Sequence, residues 1–178
     1  MASDVFGFGI HGGGGSSHGG GSNGGTGSCG ADGMNGMSGL SGLIHPPSKE
    51  PKLLHPLVLA YAGDAVYELF IRQYLISGAN HRPHYLHKMA TRYVSARAQA
   101  NALKRLMPLL TDEEREVVNR GRNAKSGTAP KNADMLEYRH STAFECLIGY
   151  LYYSGRHDRL LELMERTVSD AEGFGEQG

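Results

Sequence analysis

Two carboxylic acids stand in this sequence where an acid is costly. Asp64 lies in the middle of Leu57-Val-Leu-Ala-Tyr-Ala-Gly-Asp-Ala-Val-Tyr-Glu-Leu-Phe-Ile71, and Glu145 is the only charge in Thr142-Ala-Phe-Glu-Cys-Leu-Ile-Gly-Tyr-Leu-Tyr-Tyr153. Both segments are apolar on nearly every side, the mark of helices buried by neighbours all round. An isolated carboxylate taken out of water needs a proton, a cation or a water-filled cleft, and neither segment offers a Lys or Arg one turn away on the same face. If the two helices pack together, with Gly63 and Ala143 letting the backbones approach, Asp64 and Glu145 face each other. Facing carboxylates with room for water suit Mg²⁺ or Mn²⁺. Two plainer readings compete: Asp64 caps a helix that starts after Gly63, and Glu145 pairs with Arg139 or Arg72.

The second chemical feature is Arg120-Gly-Arg-Asn-Ala-Lys-Ser-Gly-Thr-Ala-Pro-Lys-Asn132, a stretch with four cations and no acid. Like charges cluster at a cost unless something neutralises them, and guanidinium forks and ammonium groups on a loop suit a phosphate backbone. Arg120, Arg122, Asn123, Lys125, Ser126 and Lys131 are the candidate nucleic-acid contacts. The stretch is not a phosphate-binding P-loop, since no strand precedes it and no glycine stands directly before Lys125-Ser126. Lys88, Arg92, Arg97, Lys104 and Arg105 extend the basic region, although exposed helices often carry such charges for solubility alone. His81, His84 and His87 recur at three-residue steps, but Pro83 interrupts them and no Cys or acid lies near to complete a zinc site. A surface or RNA-contacting role fits them better. Tyr150, Tyr152 and Tyr153 alternate around their helix, which suits core and interface filling rather than base stacking.

The elements that must hold these groups are helices. Apolar residues recur at three and four, and no Val/Ile/Thr-rich alternating run appears, so the periodicity predicts an all-α domain over 53–172. Six helices are expected, over 56–76, 83–93, 95–107, 112–120, 134–154 and 158–170. Thr111-Asp-Glu-Glu114 reads as a capping box, and 121–132 as a loop. Residues 1–50 read as a disordered tail, because 17 of the 26 glycines of the 178-residue chain fall in 1–42 with no apolar periodicity. The first residues lack the pattern of a secretion signal, no apolar stretch reaches membrane-spanning length, and Cys29 and Cys146 are too few for a disulfide framework. A cytoplasmic protein with reduced thiols and no membrane partner is expected. The balance of 18 bases against 18 acids is a cancellation, for 82–139 carry 12 bases and 6 acids whereas 140–178 carry 3 and 7.

Taken together, these residues resemble the ribonuclease III family, and most closely its short bacterial branch, Mini-ribonuclease III. The resemblance covers about 57–168. Leu59-Ala-Tyr-Ala-Gly-Asp-Ala-Val-Tyr-Glu68 is similar to the family's signature helix, whose Gly-Asp pair carries a catalytic carboxylate. Tyr138-Arg-His-Ser-Thr-Ala-Phe-Glu-Cys-Leu-Ile-Gly-Tyr-Leu151 is similar to the second signature, whose Glu is the other catalytic acid. Tyr93-Val-Ser-Ala-Arg-Ala-Gln-Ala100 and Arg120-Gly-Arg-Asn-Ala-Lys-Ser126 resemble motifs of the short branch. The resemblance implies a helical endonuclease domain in which Asp64 and Glu145 bind Mg²⁺, or Mn²⁺, and activate water against a phosphodiester of double-stranded RNA. It further implies a homodimer, maturation of the ends of precursor 23S ribosomal RNA of the large subunit, and the possible help of a large-subunit ribosomal protein. Two acids of the full-length members are replaced by Ala60 and Thr142, and no separate double-stranded-RNA-binding domain is expected. The alternative is a non-catalytic module of the same fold that binds structured RNA.

Overall fold

The structure, a computed structural model, describes residues 45–78, 82–125 and 134–172, the side chains of the last three excepted. It is all-α, as the periodicity predicts: α1 spans Pro56–Gly78, α2 Pro83–Val94, α3 Ala96–Leu106, α4 Asp112–Asn123, α5 Met135–Tyr153 and α6 His157–Glu172. Single 3-10 turns precede α1, over Pro51–Leu53, and α4, over Met107–Leu109. Among the described residues no helix is long and apolar enough to cross a membrane. Most of the expected tail, together with Cys29, His81, Ser126 and Lys131, lies outside the described residues.

The capping chemistry follows the sequence. Ser95 accepts from the Ala98 backbone N–H at 3.4 Å, and Asp134 accepts from Leu136 at 2.8 Å. Thr111 and Glu114 form the expected box, with Glu114 N–H donating to Thr111 Oγ1 at 3.3 Å and Thr111 N–H donating to Glu114 Oε2 at 2.9 Å. The chain leaves α5 through Gly155, whose φ of 68° suits a residue without a side chain.

Helix α5 is the axis. Every residue from Ser141 to Leu151 is buried except Glu145, because α1, α3, α4 and α6 all pack on it. The approach to α1 is backbone to backbone. A Cβ added at Gly63 would run into the backbone carbonyl of Glu145 and lie 2.7 Å from the Gly149 nitrogen, and one added at Gly149 would run into the Leu59 carbonyl. Each helix thus offers the other a bare backbone. Ala143, the small residue beside Glu145 expected to let the backbones approach, does not serve this contact, and the structure corrects this: Gly149 meets α1, while the Ala143 Cα stands 2.9 Å from where a Cβ on Gly121 of α4 would be.

A second correction concerns α1. Its apolar composition predicts burial all round, yet only Leu59, Ala60, Gly63, Tyr67 and Ile71 are buried. Val58, Tyr61, Leu69 and Ile76 form an outward stripe, with Tyr61 80% exposed. Among the described residues no helix covers that stripe. On the buried face Tyr67 stacks edge-on against Phe144, 4.8 Å between ring centres, and donates to Thr167 Oγ1 at 3.0 Å, which ties α1 to α5 and α6.

Helix α6 is held partly by charge. Glu114, 1% exposed, receives Arg159 Nε and Nη2 at 3.0 Å each, and Nη2 also donates to the Leu109 carbonyl at 2.7 Å. Burial works to raise the Glu114 pKa, but Arg159 and the Thr111 backbone outweigh it, and the carboxyl sits below its ordinary value.

Gly63→Ala should lower stability by about 2–4 kcal/mol, since the methyl meets backbone that cannot rotate away. Urea unfolding at 25 °C checks this. A loss under about 0.5 kcal/mol would mean that α1 and α5 separate without cost and that their close contact is not required.

Candidate active site

The Gly63 contact brings the acids together. Asp64 follows Gly63 on α1, at the edge of its buried face, and Glu145, whose backbone carbonyl Gly63 abuts, is on α5. Both are half-buried. Helix α1 runs unbroken from Pro56, so Asp64 is no N-cap. Arg72 pairs with Glu68 at 2.6 Å instead of with Glu145, and neither Asp64 nor Glu145 has an ion pair among the described residues.

The electrostatics carry the consequence. Burial pushes the Glu145 carboxyl from its ordinary 4.5 up to about 8, and the negative charge of Asp64 adds to the effect. Asp64 is raised as well, first by burial and then by Glu68 one turn on. Facing carboxylates in a half-dry site share a proton rather than both ionise, and burial raises Glu145 the more. Gln99 of α3 is the third polar group here. Its amide stands near enough to both acids to hold each pKa down, yet neither its Nε2 nor its Oε1 reaches a partner in good hydrogen-bond geometry. Two uncompensated carboxylates beside an unsatisfied amide form a hard, oxygen-rich donor set that fits Mg²⁺ or Mn²⁺ and would satisfy groups the protein alone leaves wanting.

Beside the acids runs a cleft of about 420 Å³, lined in part by Arg122, Asn123, Lys125, Tyr138, Arg139 and Thr142. Neither acid lines it, but Thr142 stands one turn before Glu145 on the same face of α5. Arg122, Asn123 and Lys125 are exposed there. Arg122 and Asn123 belong to α4, which runs three residues farther than expected because Gly121 packs against Ala143 and Cys146 of α5 and so continues the helix. Arg120 is employed otherwise: its Nη1 donates to the Lys52 carbonyl at 2.9 Å and its Nη2 to the Leu54 carbonyl at 3.0 Å, clamping the turn before α1. Sequence reasoning overlooked Gln99 and Arg139 in these roles. The signal for Gln99 was a lone amide within an Ala/Leu-rich helical face.

His84 and His87 are exposed on α2. Cys146 is a buried free thiol whose pKa burial pushes up to about 12, which leaves it inert at neutral pH. Tyr150 is buried and donates to Glu113 at 2.8 Å, and Tyr152 and Tyr153 meet edge-on, 5.3 Å between ring centres.

Residues 57–156 match the Ribonuclease III domain family. The chain is 54% identical over 126 residues to a protein of Brevibacillus brevis named Mini-ribonuclease 3, covering 71% of this chain and 94% of that one. It is 53% identical over 118 residues to the Mini-ribonuclease 3 of Symbiobacterium thermophilum, covering 66% and 91%. Its fold is similar to the crystal structure of a Fusobacterium nucleatum protein, with a TM-score of 0.63, 27% identity and coverage of 70% and 99%.

The raised Glu145 pKa predicts a pH dependence. The folded protein holds a proton that the unfolded chain releases, so this contribution to stability is complete below pH 4.5 and fades as pH rises to about 8. Metal-free protein should therefore lose stability across that range, and Glu145→Gln should flatten the slope and stabilise by about 1–3 kcal/mol at pH 8, a figure discounted for solvent access. Urea midpoints in chelator at several pH values check it; an undiminished slope in the variant would assign the effect elsewhere.

Proposed function

This chain belongs to the ribonuclease III family of endoribonucleases, and we propose that it hydrolyses phosphodiester bonds of double-stranded RNA with Mg²⁺ held between Asp64 and Glu145. The observation that carries the proposal is the placement of two uncompensated acids at the tightest contact of the fold, a costly arrangement that RNA binding alone does not need. When bound, the cation supplies a water of lowered pKa and stabilises charge on the phosphate and the leaving oxygen. Glu145 gives up its proton as the site loads, so loading is favoured by rising pH. Asp64 and Glu145 are positioned by helix backbone on both sides and need little rearrangement to act. No step requires a side-chain nucleophile.

Arg122, Lys125 and Arg139 are suited to hold the RNA backbone along the cleft, with Asn123 among them; Ser126 and Lys131 of the same stretch are assigned with them. Arg120 is not, since its guanidinium already serves two carbonyls. Contacts to phosphates read the A-form shape rather than the sequence, because the RNA major groove is too narrow for side chains. The substrate assigned, on the likeness to the Mini-ribonuclease 3 proteins, is the double-stranded ends of precursor 23S ribosomal RNA, in the cytoplasm, with a large-subunit ribosomal protein as possible helper. A homodimer is favoured by the outward stripe of α1, since Val58, Tyr61, Leu69 and Ile76 form an apolar face that a second copy would cover.

With a long RNA duplex and Mg²⁺, Asp64→Asn and Glu145→Gln should each cut about a hundredfold more slowly, or worse, while still shifting the duplex on a gel. Wild type that shifts the duplex but leaves it intact would make the protein a binder. Neutralising Arg122 and Lys125 should lower the slope of log affinity against log salt by about 1–2; an unchanged slope would place the RNA elsewhere. Tyr61→Asp with Leu69→Asp should turn a dimer into a monomer in sedimentation, and wild type that sediments as a monomer would end the dimer reading.

A further inference from the structure

Gln99 presents an unsolved problem in the folded chain. It is 1% exposed, on a face of α3 otherwise made of Ala100, Ala102, Leu103 and Leu106, and both polar atoms of its amide lack a hydrogen-bond partner. A buried amide in this state is destabilising, and Met or Leu would fill the same volume without the cost. The amide is not stranded in hydrocarbon, however: it interacts with both Asp64 and Glu145.

The donor count gives it a use. Among the described residues no group of three His, Cys, Asp or Glu could hold a metal, so the acid pair must be completed by water or by a donor of another type. Mg²⁺ and Mn²⁺ accept amide carbonyls as they accept carboxylates, and a carbonyl adds a ligand without adding charge. Asp64 reaches the site from α1 and Glu145 from α5, whereas Gln99 reaches it from α3, a third direction. We propose that Gln99 is the third protein ligand of the divalent cation, supplying its side-chain carbonyl oxygen. The assignment rests on the reading of Asp64 and Glu145 as a metal pair. It explains why an amide that completes no hydrogen bond is buried beside two acids: in the loaded site Oε1 would meet the cation and Nε2–H would face a carboxylate.

Mn²⁺ binding to the full chain tests this without reference to cleavage, by the electron paramagnetic signal of free Mn²⁺ and by thermal melting with and without the ion. Gln99→Met, close in shape but without a hard donor, should bind Mn²⁺ about tenfold more weakly and melt, metal-free, at or above the wild-type temperature. Gln99→Glu should bind more tightly than wild type. Wild-type affinity in Gln99→Met overturns the assignment, as does a metal-free Gln99→Met that melts below wild type together with a Gln99→Glu that binds no better than wild type, the pattern of a packing residue. Should Gln99→Met fail to fold, Gln99→Glu decides alone, and unchanged or weaker binding overturns it. Asp64→Asn separates the two readings: undiminished Mn²⁺ binding there overturns the metal pair itself, whereas weak binding there with normal binding in Gln99→Met overturns only the role of Gln99.

Discussion

The backbone carbonyl of Glu145 lies against the face of Gly63 where any other residue would carry its side chain, and the reciprocal contact joins Gly149 to Leu59. Helices normally meet through side chains, with axes 8–10 Å apart. Here two bare backbones meet, and the residues beside the contact are brought closer than side-chain packing would bring them. Asp64 follows one glycine directly, and Glu145 stands one turn before the other. Protein interiors are close-packed and yield little, so the separation of the acids is fixed by the same contact that holds α1 on α5. Stability and chemistry share one pair of glycines.

That contact creates an electrostatic conflict. Two acids are brought toward each other where burial already disfavours their charge, and no cation among the described residues relieves them. Compare Glu114, buried more deeply by area yet ionised, because Arg159 meets it with two hydrogen bonds. The protein can evidently bury a carboxylate and neutralise it, and at Asp64 and Glu145 it does not. Among the described residues these two acids have no cation to meet them, and a raised pKa leaves a proton as the partner the protein itself provides. Any cation entering there would have to displace that proton, which would link its affinity to pH.

Much of this was legible in the sequence, for identifiable reasons. The helices and the capping box follow from local chemistry, since periodicity and the Thr111–Glu114 spacing do not depend on tertiary context. The acids stood out because a charge within an apolar run is conspicuous at any distance. What escaped depended on packing partners distant in sequence. Gly149 reads as one small residue among many until Gly63 is set against it. Gly121 looks like a helix breaker and instead lets α4 continue against Ala143 and Cys146. Arg120 resembles the cations around it, and only the fold reveals that its guanidinium clamps the carbonyls of Lys52 and Leu54, 68 and 66 residues away. Helix α1 reads as buried all round because the sequence of an exposed apolar face is the same as that of an interior.

The near-neutral total charge has a structural counterpart that bears on RNA. On the side of α4 and α6, acids and bases cancel locally: Glu113 is shared by Lys52, Tyr150 and Arg156, which hold its pKa near 2, and Arg159 spans Glu114 and Glu162. Such exposed pairs contribute little to stability individually, but each acid cancels part of the field its cation would present to a polyanion. Along the cleft the pattern reverses, since Arg122, Lys125 and Arg139 form no ion pair among the described residues. The field that a phosphate backbone meets is set by unneutralised charges within about a Debye length, roughly 8–10 Å, and not by the sum over the chain. A protein of zero net charge can therefore present a positive groove beside a pair of acids. The unpaired cations of the cleft and the residual charge of the acids set opposite fields side by side, and each is felt only over that short range.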